Sequence, residues 1–85
     1  MMEVLFTPIA LAQLEKWKKI NKKIYKRIEI LIDDIQVNPF VGLGKPEPLK
    51  HEFKGYWSRR VNKEHRLIYK ISKNSIIIFA CRYHY

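Results

Sequence analysis

Glu47 stands between Pro46 and Pro48. Both prolines have a fixed φ and no amide hydrogen, so the glutamate's backbone is stiff and its carboxylate projects from a restrained stretch. A carboxylate held in this way suits a general base; the plainer alternative is a surface glutamate in a proline turn. The second candidate for proton chemistry is His84, in the closing run Cys81-Arg82-Tyr83-His84-Tyr85. An imidazole exchanges a proton near neutrality, its reference pKa being about 6.5. Histidines are more commonly structural or simply exposed, and His51 and His65 are read that way. Terminal residues usually fray, yet a dangling end would leave two tyrosine rings and an imidazole uncovered, so this run is expected to be anchored.

Cations supply a third ingredient. Arg59, Arg60 and Arg66 flank the turn-like Asn62-Lys63-Glu64-His65, with Lys50 close by in sequence. A three-residue loop sets Arg60 directly opposite Arg66, which is unfavourable for like charges in a sheet and best tolerated with a phosphate between them. A loop of two or four residues pairs Arg60 with Leu67 instead. Cys81 and His84 have a metal-like spacing, but zinc normally takes three or four ligands, and no metal or cofactor is expected. The stretch Gly42-Leu43-Gly44-Lys45-Pro46 fits neither glycine-rich nucleotide-binding pattern and precedes no helix, which argues against nucleotide-dependent chemistry.

These residues need a frame. With 85 residues, one domain spanning 1–85 is expected, carrying a modest core. Lys and Arg number 17 against 8 Asp and Glu, and the resulting charge of +9 draws in polyanions such as nucleic acid or an acidic protein. Cys81 is the only cysteine, so no intrachain disulfide forms and a reducing cytoplasm is the expected compartment. The opening residues have no signal-peptide pattern, and no apolar run is long enough for a membrane span.

Glu3 to Phe6 reads as a strand, and Thr7-Pro8 as the cap and first turn of a helix in which Ala10, Leu11, Leu14 and Trp17 recur at helical spacing to about Ile20. Asn21 caps a second helix, whose stripe of Ile24, Ile28, Leu31, Ile32 and Ile35 is core; Lys22, Lys23, Lys26 and Arg27 lie on its solvated side. Asn38-Pro39 ends it. Residues 39–48, rich in proline and glycine, form a fixed loop. The runs Tyr56 to Val61, Arg66 to Ile71 and Ser75 to Tyr85 follow as an antiparallel meander. The expected fold is therefore α+β: two antiparallel N-terminal helices on one face of a twisted, mainly antiparallel sheet, the N-terminal strand joining the meander and the other sheet face partly open.

The segments "GKPEPLKH", "GYWSRRVNKEHRLIY" and "ACRYHY" resemble, in order, the YoeB toxins, a branch of the RelE/ParE superfamily of bacterial toxin-antitoxin ribonucleases. The resemblance runs closely from Gly44 to Tyr85. It is looser in helix one, which is less acidic and less aromatic than in the family, so the family's antitoxin contacts there are not carried over. The resemblance implies a metal-independent endoribonuclease that cleaves mRNA in the ribosomal A site and is silenced by a cognate antitoxin. It also implies that Glu47 is the general base, Arg66 the stabiliser of the phosphorane-like transition state and His84 the general acid. Lys50, Arg60 and Tyr85 would orient the scissile phosphate and neighbouring bases. Several relatives pair as homodimers, which makes a homodimer a further expectation. The competing readings are a ParE-like gyrase-inhibiting toxin and a non-catalytic RNA-binding module.

Strict strand alternation conflicts with these roles. With a two-residue Lys73-Asn74 turn, Arg66 falls opposite Cys81 and His84 on the other sheet face. A longer turn, a bulge between Cys81 and His84, or strong terminal twist is therefore expected.

Overall fold

The computed structural model describes residues 1–83, so His84 and Tyr85 lie outside the described residues. Strand β1 (Glu3–Phe6) leads into α1 (Pro8–Ile20) and α2 (Lys22–Val37). A loop then reaches the two-residue strand β2 (Glu47–Pro48) and a short 3-10 turn (His51–Phe53), followed by β3 (Trp57–Arg60), β4 (Arg66–Ser72) and β5 (Ser75–Ala80). The sheet order is β1-β5-β4-β3-β2, antiparallel throughout except for the parallel β1–β5 pair. The expected α+β architecture is the one observed.

Local chemistry explains the helix boundaries. Thr7 Oγ1 accepts the Ala10 N–H and also donates to the Phe79 carbonyl, so one hydroxyl starts α1 and ties it to the sheet. Asn21 ends α1 through its backbone N–H and starts α2 by accepting the Ile24 N–H on its side chain. On α2, Ile28, Leu31 and Ile35 are fully buried as their spacing requires. On α1 the inward positions are Ala10, Gln13, Leu14 and Trp17; Leu11, expected to face the core, is exposed. The helices cover the sheet face that carries Trp57, Leu67, Tyr69, Ile76 and Ile78.

Arg59 is on that inner face as well, which corrects the expectation that it joins Arg60 and Arg66 in one cationic patch. It is fully buried because alternation along β3 places it with Trp57, while Ser58 and Arg60 point the other way. Its guanidinium forms an ion pair with Asp34 of α2 at 2.5 Å and donates to the carbonyls of Asn38, Val41 and Leu43, and its Nε donates to Tyr69 Oη. Tyr69 Oη in turn donates to the Pro39 carbonyl. Asp34 also accepts the Leu43 N–H. One buried cation thus gathers the loop after α2 onto the sheet. Gly42 and Gly44 permit this approach: both have positive φ, a Cβ on Gly42 would run into Asp34 Oδ2, and one on Gly44 would meet the Arg60 carbonyl at 3.0 Å.

The Lys73-Asn74 turn does have two residues, Ser72 pairing with Ser75. The register nevertheless shifts. Tyr69 pairs with Ile78 but Ile68 with Ala80, so Phe79 is the extra residue of a bulge. This bulge lies two residues upstream of the predicted stretch between Cys81 and His84. Past β5 the chain leaves the ladder and other groups hold it: the Cys81 N–H donates to Gln13 Oε1 and Trp17 Nε1 donates to the Cys81 carbonyl.

Two outcomes are expected. The hydrogen bond from Arg59, aided by that from Leu43, holds the Asp34 carboxyl below its ordinary value of 3.8. Its contribution is therefore complete above pH 3.8 and is lost as pH falls through the lower folded-state value. Denaturant titrations should show Asp34→Ala destabilised by roughly 3 kcal/mol at neutral pH, the cost of stranding a buried cation, with a flatter acid dependence than wild type. Burial pushes the Cys81 thiol up to about 12, so a thiol-reactive disulfide reagent at pH 8 should label the protein only after unfolding, measured by chromophore release.

Candidate active site

Residues paired across a ladder present their side chains on the same face. Glu47 pairs with Ser58, Ser58 with Ile68, and Ile68 with Ala80, giving a row across the face opposite the helices. Arg60 and Arg66 pair with each other one step along the strands, on that same face. The loop between them settles the open question of register: the Val61 N–H donates to the His65 carbonyl, leaving Asn62, Lys63 and Glu64 as a three-residue connection, and Asn62 Oδ1 accepts the N–H groups of Glu64 and His65. From strand spacing and rise, the Cα atoms of Glu47 and Arg66 are roughly 12 Å apart, a gap suited to a nucleotide link between two long side chains.

Glu47 is held by its pairing with β3, so the proline-rich stretch ends in a strand rather than in loop as expected from sequence. The entry to that strand is set by Arg60, whose N–H donates to the Gly44 carbonyl at 2.7 Å, and by the Arg59 contacts beneath it. Glu47 and Arg60 are exposed and Arg66 is half-buried. Arg66 Nη1 donates to the carbonyls of Asn62 and His65 at 2.9 and 3.1 Å, so the loop orients this guanidinium from one side. Among the described residues no carboxylate forms an ion pair with Arg60 or Arg66. The like charges across β3 and β4 therefore stand without a protein counter-ion in that set.

Lys50 is also exposed, but it follows the end of β2 away from Arg60, so it flanks Glu47 from the opposite side instead of joining the arginines. Next to it is an aromatic group that sequence reasoning did not assign to this face. Phe53, Tyr56 and Phe79 pack edge-on with ring centroids 5.4 to 6.1 Å apart, and Lys70 Nζ lies 5.1 Å from the Tyr56 ring centre. The signal was available in part, since Tyr56 precedes Trp57 and so alternates to the open face; the bulge at Phe79 was not.

Of the six residues singled out, the structure places Glu47, Arg60 and Arg66 on one face, with Lys50 at its edge. His84 and Tyr85 lie outside the described residues. Their predecessor Tyr83 donates its N–H to His65 Nδ1 and accepts the Arg66 N–H at its carbonyl, so the chain is held beside Arg66 at that point.

Comparisons agree with this architecture. A family model described as YoeB-like toxin of bacterial type II toxin-antitoxin system matches residues 6–85. Toxin YoeB of Escherichia coli strain K12 is 54% identical over 69 residues, which span 81% of this chain and 82% of that protein. The YoeB dimer from Staphylococcus aureus superposes with a TM-score of 0.93 at 41% identity, covering 99% of this chain and 98% of that one. The toxin of the YoeB-YefM complex from the same species does so with 0.92 at 42%, covering 100% and 99%. By sequence and fold, the protein belongs to the YoeB-like toxins of bacterial type II toxin-antitoxin systems.

Proposed function

We propose that the protein is a ribosome-dependent endoribonuclease that inhibits translation by cleaving mRNA in the A site through metal-independent acid-base chemistry. The observation that carries this reading is the Arg60–Arg66 pair on the same open face as Glu47. Two guanidinium groups opposite one another repel unless an anion lies between them, and a fork-shaped donor matches a phosphate. Glu47 draws the proton from a ribose 2′-hydroxyl. The freed oxygen attacks the adjacent phosphorus, the bond to the 5′-oxygen breaks, and His84 delivers a proton to that leaving oxygen. The products are a 2′,3′-cyclic phosphate, opened later to a 3′-phosphate, and a 5′-hydroxyl. Arg66, fixed by its loop, faces the charge that builds on the phosphoryl oxygens. Lys50, Arg60 and Tyr85 orient the phosphate and the flanking bases.

The partners follow from the same face. The S. aureus relative has been solved as a complex with YefM and as a dimer, which supports a cognate antitoxin and a homodimer here. An antitoxin bringing carboxylates would compete with RNA for the arginines. The ribosomal substrate sets the cytoplasm as the site of action; among the described residues no helix is long and apolar enough to cross a membrane.

Primer extension on a translated message is the test. Wild type should cut within the A-site codon, and Glu47→Ala and Arg66→Ala should each lose about 100-fold or more of the single-turnover rate while still associating with ribosomes. Undiminished cleavage by Glu47→Ala would remove the base assignment. Ribosome binding without any cleavage by wild type would instead favour a passive RNA-binding module, and inhibition of DNA supercoiling a gyrase inhibitor. Under single-turnover conditions the rate should be bell-shaped in pH, because Glu47 must start ionised and His84 protonated; a flat profile argues against the pair.

A further inference from the structure

Tyr83 is held at both of its backbone polar groups by two consecutive residues. Its N–H donates to His65 Nδ1 at 2.7 Å, and its carbonyl accepts the Arg66 N–H at 2.8 Å. Tyr83 adopts a φ of 60°, a left-handed conformation that a tyrosine rarely takes without outside constraint. His65 is in turn fixed on every side. It is 6% exposed, its ring meets the Trp17 ring edge-on at 4.8 Å, its N–H donates to Asn62 Oδ1 and its carbonyl accepts the Val61 N–H. Because Nδ1 is an acceptor, the ring is neutral with its proton on Nε2, the nitrogen that faces Glu64 Oε1 at 3.5 Å.

Two residues upstream, α1 holds Cys81 in the same fashion, through Gln13 on its N–H and Trp17 on its carbonyl. After the bulge at Phe79 the sheet ladder is thus replaced by two clamps, and Trp17 belongs to both: it bonds Cys81 and packs on His65. The second clamp closes on the residue directly before His84.

We propose that His65 is a positioning residue for the general acid: its neutral Nδ1 seats Tyr83 and so sets where the chain delivers His84 relative to Arg66. This rests on the reading of His84 as the proton donor. His65 touches no substrate in this scheme, and it acts only through the Tyr83 backbone.

Two substitutions separate positioning from packing. His65→Phe keeps a flat ring against Trp17 and removes the acceptor, whereas His65→Asn sets an amide oxygen close to the place of Nδ1. In single-turnover cleavage on ribosomes, His65→Phe is expected to slow about 10- to 100-fold with the half-saturating concentration unchanged, and His65→Asn to stay within about threefold of wild type. Hydrogen exchange at the Tyr83 amide should accelerate in the phenylalanine variant alone. Full-speed cleavage by His65→Phe, or equal losses in both variants, overturns the proposal. His84→Ala is measured alongside: full activity there removes the general-acid reading itself, while an inactive His84→Ala beside a fully active His65→Phe refutes only the clamp. Should His65→Phe not fold, wild type and His65→Asn decide the matter. An Nδ1-protonated ring by nitrogen NMR, an unprotected Tyr83 amide, or a slow His65→Asn refutes the proposal; an unprotonated Nδ1, a protected amide and an active His65→Asn support it.

Discussion

A single buried guanidinium organises the half of the molecule that carries the carboxylate. Burying an arginine is costly unless its charge and its donors are all met. Arg59 meets them with one carboxylate from α2, three loop carbonyls and a tyrosine hydroxyl. The carbonyls come from a segment with few apolar anchors of its own, since Phe40, Val41 and Leu43 are all exposed. The loop is therefore fixed mainly by polar satisfaction, with the Phe40 ring against Trp57 as its apolar anchor. It leads directly into Glu47, so the stiffness of that backbone derives as much from the cation beneath it as from the prolines beside it.

The helices, their caps and the meander were legible from residue types alone because each carried a local signal: Thr7-Pro8, the isoleucine stripe of α2, Asn21 between the helices. The open-face site was legible in part. Glu47 announced itself through Pro46 and Pro48, and the arginine pair followed once the loop length was known. Arg59 was misplaced because two adjacent arginines look alike, although Trp57 two residues earlier fixes which of them turns inward. The bulge was beyond sequence reasoning for a different reason. Ile76 to Cys81 is apolar on both alternations, so a shift of one residue leaves no trace in the pattern.

The bulge at Phe79 supplies the shift of register that the two-residue turn called for. Ladder geometry alone would have set Cys81 opposite Arg66. Inserting Phe79 changes the alternation, and hydrogen bonds accepted by Gln13 and His65 and donated by Trp17 and Arg66 then take over the guidance of the backbone. Glu47, the paired arginines and the chain up to Tyr83 thus come from three separate stretches, each held by its own polar contacts.

The parallel pairing of β1 with β5 carries an implication for synthesis. Thr7 bonds to Phe79 across a separation of 72 residues, and β1 has no neighbour in the sheet other than β5. β1 can therefore enter the sheet only after β5 has been made, at a loop-closure cost that grows slowly with the length of chain between them. The helical pair and the β2-β3-β4 part can form earlier in synthesis, so the β1–β5 seam is the last piece of the sheet to close.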